Sequence, residues 1–184
     1  MKFLVFAASH RTASLNKKLA VLAANSLKHQ GYEALFKEYA ELDMPIYNDE
    51  ICSTQSISGI VNPFADALKQ VQGVLIAAPE YNWSYPGSLK NIIDWTSRIK
   101  PQPLAGKTVM LMCATPSDRG GIAGIMHLKS PFEALNAYIF PRAYTLSNAN
   151  AKLSGETLAD AKQQDAFNGL INEYTEFTRK LTKE

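Results

Sequence analysis

Cysteine is scarce in this chain: Cys52 and Cys113 are the two thiols among 184 residues, so no disulfide framework can carry the fold. Cys113 falls in the apolar run VMLMCAT, where a small buried thiol is expected, and Cys52 falls in a polar loop with nothing nearby to activate it. Both are expected to be free thiols of a reducing, cytoplasmic compartment. His10, His29 and His127 stand at no metal-ligand spacing, so no metal centre is expected. Charge of either sign is not in excess either. A net charge of +2 makes no case for nucleic acid or an anionic membrane as partner. Long apolar runs are missing, since residues 3–8 and 74–78 are far too short to span a bilayer. The opening MKFLVFAASHRT has one lysine and an apolar run, yet no small-residue cleavage pattern follows and the run leads into a polar loop. A first strand is expected there, not a signal peptide.

Several functional motifs are also missing. There is no GxGxxG for a dinucleotide and no GxSxG elbow for a nucleophilic serine, which leaves Ser88 and Asp94 without a triad. The AGKT of residues 105–108 mimics the end of a phosphate-binding P-loop, but Pro101 occupies the first glycine position and a strand follows where a helix is needed.

What the chain does have is a regular alternation of strand-like and helix-like segments. With 46% hydrophobic and 20% charged residues it is ordinary globular material, of a length suited to one α/β domain over residues 1–184. Strands are expected at 2–8, 32–39, 73–78, 107–115 and 137–147. Helices are expected from Leu15 to a stop at Gly31, over 60–71 with Pro63 in the first turn, over 86–100, over 122–136, and at the end, where Phe167, Leu170, Ile171, Tyr174, Phe177 and Leu181 recur at helical spacing. Five strands separated by helices imply parallel pairing through right-handed crossovers. In the order 2-1-3-4-5 the ligand crevice lies beyond the carboxyl ends of strands one and three.

Two unusual loops fall at that crevice. SHRTASLN, residues 9–16, offers the hydroxyls of Ser9 and Ser14, the guanidinium of Arg11 and the amide of Asn16 where a helix begins, a donor set suited to a phosphate monoester. The weaker alternative is Ser14 as a simple helix cap and Arg11 as a solvated cation. PEYNWSYPG, residues 79–87, places a restrained proline, an amide and three aromatics on the lip between strand and helix. Such a lip suits a flat, hydrogen-bonding ring such as a flavin, with core packing or a subunit contact as the alternative for each aromatic. A third loop, TPSDRGGIAG, carries Gly120 and Gly121 into the next helix and could bring backbone to the ring edge.

These residues carry a resemblance. SHRTASLN resembles the SxRxxSxN phosphate loop of the NAD(P)H-dependent FMN reductases, a flavodoxin-like group, and PEYNWSYPGSLKNIIDW matches their PEYNxSxPGxLKNxIDW signature at each fixed position. DMPIYN, QPLAGK and the double-glycine loop fall where the quinone and chromate reductase branch has similar segments, so the likeness covers nearly the whole chain. Ala8 is a departure, standing where the family has glycine, and its methyl is expected to crowd the loop.

The resemblance implies a flavodoxin-like three-layer sandwich, a five-stranded parallel sheet of order 2-1-3-4-5 with helices on both faces. It implies FMN as cofactor and NAD(P)H as co-substrate, with Ser9, Arg11, Ser14, Leu15 and Asn16 at the phosphate. Pro79, Glu80, Tyr81 and Asn82 would line the ring, with Ser117 and Gly121 on its far side. No catalytic side chain is expected, because the cofactor carries the chemistry. The implied acceptor is a quinone or a similar small molecule such as chromate, an azo dye or free flavin. A homodimer or homotetramer is implied, in which the PGSLKNIIDW helix contributes to the interface, with Leu89, Ile92, Ile93 and Trp95 expected to give it apolar surface for both core and partner. The alternative from another class is a non-enzymatic electron carrier of the flavodoxin type, which the lack of strong acidity disfavours.

Overall fold

The computed structural model describes residues 1–42, 44–54 and 57–182, with side chains for all of these except 52–54 and 57–62. Its centre is a parallel sheet. Strands β1 (Lys2–Ala7), β2 (Glu33–Lys37), β3 (Gly73–Ala77) and β4 (Thr108–Ala114) lie in the order β2-β1-β3-β4, and the last position is shared by β5 (Tyr138–Ile139) and β6 (Tyr144–Leu146), both parallel to β4. This is the expected order 2-1-3-4-5, with one difference. The fifth strand is broken at Pro141, which has no N–H to give the ladder and is tolerated here because the strand lies at the sheet edge.

β1, β3 and β4 are buried on both faces, which is why they read as unbroken apolar runs. Alternate side chains feed two cores. Leu4, Phe6, Val74, Ile76 and Leu111 meet α3 (Ile57–Lys69), α4 (Gly87–Ser97) and α5 (Ile122–Ala134), whereas Phe3, Val5, Leu75, Met110 and Met112 meet α1 (Leu15–His29) and α7 (Ala161–Thr182). Three layers result, with both layers of helices tied to the one sheet.

Several segments differ from expectation. Residues 39–54 hold a 3-10 turn (Tyr39–Leu42) and a short helix α2 (Asp49–Thr54) where a loop is expected, so the backbone of Cys52 is helical; its thiol, like Asp43, lies outside the described residues. α3 begins at Ile57, which puts Pro63 inside the helix instead of in its first turn; the ring is on the exposed side, where water can satisfy the carbonyl it leaves unpaired. A four-residue helix α6 (Ala149–Lys152) and a tiny hairpin of β7 (Leu153–Ser154) and β8 (Thr157–Leu158) precede α7.

α4 also spends its apolar residues differently. Leu89, Ile92, Ile93 and Trp95 are all buried in the chain's own core, so none is left for a partner. Its polar residues hold the segment after the 3-10 turn. The Asn91 amide donates to the carbonyls of Pro45 (2.9 Å) and Met44 (3.2 Å) and accepts the N–H of Tyr47 (2.7 Å), while the Trp95 indole donates to Pro45 (2.8 Å). Among the described residues no helix is long and apolar enough to cross a membrane.

At the amino edge of the sheet, Tyr174 of α7 pushes its hydroxyl between β3 and β4. It reaches the carbonyls of Val74 (3.1 Å) and Thr108 (3.0 Å) and the Thr108 hydroxyl (3.1 Å), and burial pushes the phenol far above its ordinary pKa. Gly73 makes room for it, since a β-carbon there would lie 2.4 Å from the Tyr174 oxygen. Gly73→Ala is expected to destabilise the fold by about 1–3 kcal/mol through overpacking, seen as a lower urea midpoint at unchanged slope. In a Tyr174→Phe background the added cost should shrink. Strictly additive costs would show that the hydroxyl is not the obstacle.

Candidate functional site

The loops between β1 and α1, β3 and α4, and β4 and α5 all leave the carboxyl edge of the sheet. In the first, the Ser9 N–H turns back to the carbonyl of Ala7 (2.8 Å), and the Arg11 N–H leans on the Ser9 hydroxyl (3.4 Å). Ser14 caps α1: its Oγ accepts the Lys17 N–H (3.3 Å) and its carbonyl accepts the Lys18 N–H (3.2 Å). Capping uses a lone pair, so the hydroxyl proton of Ser14 stays available to donate. The N–H groups of Leu15 and Asn16, in the first turn, have no carbonyl a turn earlier within the helix. The loop thus concentrates donors and the positive end of a 15-residue helix at one place.

The side chain of Asn16 is not one of those donors. Its Nδ2 donates to the Ala114 carbonyl (2.9 Å), its Oδ1 accepts the Ala114 N–H (2.8 Å), and the residue is buried. What Asn16 presents to the cavity is backbone. His10 packs edge-on against Tyr39, 4.8 Å between ring centres, and does not line the cavity.

The second loop begins at Pro79 and closes a tight turn in which Tyr81 and Ser84 exchange backbone bonds of 2.8 and 3.0 Å. Asn82 (φ 50°) and Trp83 (φ 67°) are both left-handed, the geometry of a two-residue type I′ turn. Asparagine tolerates that conformation; tryptophan adopts it at a cost. The Glu80 carboxylate accepts the N–H of Gly124 (2.8 Å) in the first turn of α5, which puts an anion at a helix amino end and ties the second loop to the third. Gly121 (φ 75°) is needed for the same packing: a β-carbon there would sit 2.3 Å from the sulfur of Cys113, whose thiol burial pushes up to about 11. On the outer side, the Arg119 guanidinium lies over the Trp83 ring, 4.9 Å from its centre.

These loops surround a cavity of about 380 Å³, within the range of small-molecule and cofactor sites. Of the residues singled out in the sequence, Ser9, Arg11, Ser14, Leu15, Asn16, Pro79, Glu80 and Tyr81 line it. Asn82, Ser117 and Gly121 do not; Ser117 lies just beyond Thr115 and Pro116, sharing a 3.1 Å bond between hydroxyls with Thr115. Ala13, Ala114, Thr115, Pro116 and Asn150 line the cavity without having been singled out. Asn150 comes from α6, whose approach depends on how β6 docks and has no local signal in the chain. The methyl of Ala8 is buried in the core shared with Phe6 and Tyr39, so it points away from the loop that it was expected to crowd. Among the described residues no group of three or more His, Cys, Asp or Glu could hold a metal ion.

Residues 1–151 match a family model described as NADPH-dependent FMN reductase. A quinone reductase of Escherichia coli (strain K12) is 32% identical over 143 residues, covering 76% of each chain. An NAD(P)H-dependent FMN reductase of Pseudomonas aeruginosa is 28% identical over 140 residues, covering 75% of each. Among solved structures, the flavoenzyme NAD(P)H:(acceptor) oxidoreductase FerB from Paracoccus denitrificans superposes with a TM-score of 0.83 at 27% identity, covering 97% of both chains. A flavodoxin from an archaeon, at a TM-score of 0.63, 11% identity and coverage of 97% and 99%, shares the fold.

The two polar residues of the first loop should separate in a ligand-free stability measurement. Asn16→Ala strands a buried N–H and carbonyl of Ala114 and is expected to cost about 1–3 kcal/mol. Arg11→Ala, at an exposed side chain, is expected to stay within about 0.5 kcal/mol of the parent. Equal urea midpoints for Asn16→Ala and the parent would remove the clamp from the account.

Proposed function

Since the chain belongs to the NADPH-dependent FMN reductase family, we propose that the 380 Å³ cavity is its FMN site and that the acceptor of its electrons is a quinone. The chain is an oxidoreductase; FMN and NAD(P)H are the cofactor and donor of its family. When bound, FMN supplies two-electron chemistry, taking a hydride from NAD(P)H and returning electrons to the acceptor. Chromate, azo dyes and free flavin are further acceptors of the proposal.

The observation that carries the reading is the pairing of two unlike ends in one cavity. At one end the capped start of α1 meets the Ser9 and Ser14 hydroxyls and the Arg11 fork, which suits a dianionic phosphate. At the other, Pro79, Glu80 and Tyr81 line the side where the second loop leaves β3, which suits a flat hydrogen-bonding ring. In this proposal the Ser9 and Ser14 protons and the Leu15 and Asn16 N–H groups bond phosphate oxygens, while the backbone of 79–82 orients the ring. The proposal assigns Ser117 and Gly121, which stand outside the cavity lining, to the far side of the ring. Glu80 acts indirectly, because its bond to Gly124 fixes the spacing of the two loops. The absence of a catalytic side chain from the proposal follows from the chemistry, since a hydride passes between two rings without a protein acid or base; the chain's contribution is orientation. The proposal includes a homodimer or homotetramer, with the polar face of α4 (Lys90, Asn91, Asp94) and the exposed Ile46 beside it as the contact.

Arg11→Ala is expected to weaken FMN binding about 10- to 150-fold, the worth of a hydrogen bond to a charged group. Arg11→Lys should restore part of this, because an ammonium cannot fork onto two oxygens. Riboflavin should bind the parent weakly and be indifferent to both changes. Flavin fluorescence quenching reads all of these, and equal affinity of the parent for FMN and riboflavin would take the phosphate loop out of the proposal.

Activity has its own test. Anaerobic NADH or NADPH should bleach the visible absorbance of the FMN-loaded protein within seconds, and a quinone should restore it. Steady-state plots at several fixed quinone concentrations should give parallel lines, the mark of alternating substrates. Flavin that dithionite bleaches but excess NADH and NADPH both leave oxidised for minutes would instead mark an electron carrier.

A further inference from the structure

Five arginines are spread along the chain. Arg142 pairs with Glu173 and Arg179 with Glu176, and Arg98 lies over the Tyr47 ring just past the carboxyl end of α4, where a cation is favoured. That leaves Arg11 and Arg119 on the loops at the carboxyl edge of the sheet, neither with an ion pair among the described residues. Arg11 is accounted for by the phosphate end of the cavity. Arg119 is not.

Its position is electrostatically unfavourable for a cation. It stands two residues before the N-cap of α5, at the positive end of that helix. Glu80 offsets that end from inside but is bonded to Gly124, and the adjacent Asp118 makes no ion pair with Arg119. The guanidinium is nonetheless held in place, over a tryptophan that is itself 60% exposed and presented outward by a left-handed turn. Trp83 and Arg119 come from the two loops whose Tyr81, Thr115 and Pro116 line the cavity, and stand two and three residues beyond that lining on its outer side. An exposed cation with no ion pair, stacked in place on a loop that borders a cavity, suits an anion on the molecule that enters.

We propose that Arg119, steadied by Trp83, recognises the phosphates of the dinucleotide donor. The inference rests on the reductase reading with a quinone as acceptor: NAD(P)H is then the anionic substrate, because a simple quinone carries no charge for a guanidinium to find. Two sources share the chemistry, the pyrophosphate common to both nucleotides and the 2′-phosphate of NADPH alone.

Calorimetric titration of the FMN-loaded protein with ADP-ribose and with its 2′-phosphate tests the proposal without turnover. Arg119→Gln is expected to weaken the phosphorylated ligand about 10- to 150-fold, with Arg119→Lys recovering part. Trp83→Ala should weaken it about 2- to 5-fold by freeing the guanidinium. Loss for both ligands assigns Arg119 to the pyrophosphate, and loss confined to the second assigns it to the 2′-phosphate. In turnover, the donor KM should rise while the KM for 1,4-benzoquinone and the affinity for FMN stay at parent values. Unchanged binding of both ligands in Arg119→Gln overturns the inference, as does a raised quinone KM with an unchanged donor KM. A parent whose flavin NAD(P)H cannot bleach overturns the reductase reading instead, so the two failures are distinguishable.

Discussion

The cavity depends on how the sheet ends. Ala78 donates its N–H to the carbonyl of Met112, so the ladder between β3 and β4 continues past the last named strand residue. Two residues further along β4, the N–H and carbonyl of Ala114 face the same side. There β3 has ended and its chain has turned into the second loop, which gives neither group a backbone partner. The Asn16 amide fills the gap, donating to the Ala114 carbonyl and accepting its N–H. One side chain thereby satisfies two buried backbone groups and pins the amino end of α1 to the end of β4. β3 is free to peel away, and the space it vacates opens into the cavity.

The walls of that space are held by a second set of contacts, each needing a particular small or charged residue. Gly121 lets the third loop close over Cys113, Gly124 brings the first turn of α5 close to Glu80 and Ser84, and the Glu80 carboxylate bonds that turn. Outside them the Arg119 and Trp83 pair repeats the link between the same two loops, but exposed to solvent. A gradient follows from the sheet outward. The inner contacts are buried or half-buried and structural, and the outer one is exposed. The same logic governs α4, where Asn91 and Trp95 hold residues 44–47. Fixed residues of a signature motif need not touch a ligand, since two of these hold backbone.

Much of the architecture was determined by the chain alone. Uninterrupted apolar runs in β1, β3 and β4 require cover on both faces of a sheet, and helical segments between strands require parallel pairing. Order 2-1-3-4-5 then brings SHRTASLN and PEYN to one edge, which is how eight of the eleven residues singled out came to line a single cavity. Tertiary structure alone decided the rest, because the deciding partners are distant in sequence. Asn16 reads locally as a donor at a helix start; only its meeting with Ala114, 98 residues away, makes it a clamp. Ala8 reads as an intruder in a loop until the strand's alternation turns its methyl into the core. Leu89, Ile92, Ile93 and Trp95 could serve a core or a partner, and only packing shows them consumed by the core. Asn150 joins the cavity because Pro141 breaks the edge strand and β6 resumes beside Met112. Local pattern determines which way a backbone runs and which face is apolar; it carries no record of which distant polar group will satisfy a given side chain, and that pairing is what separates a ligand from a brace.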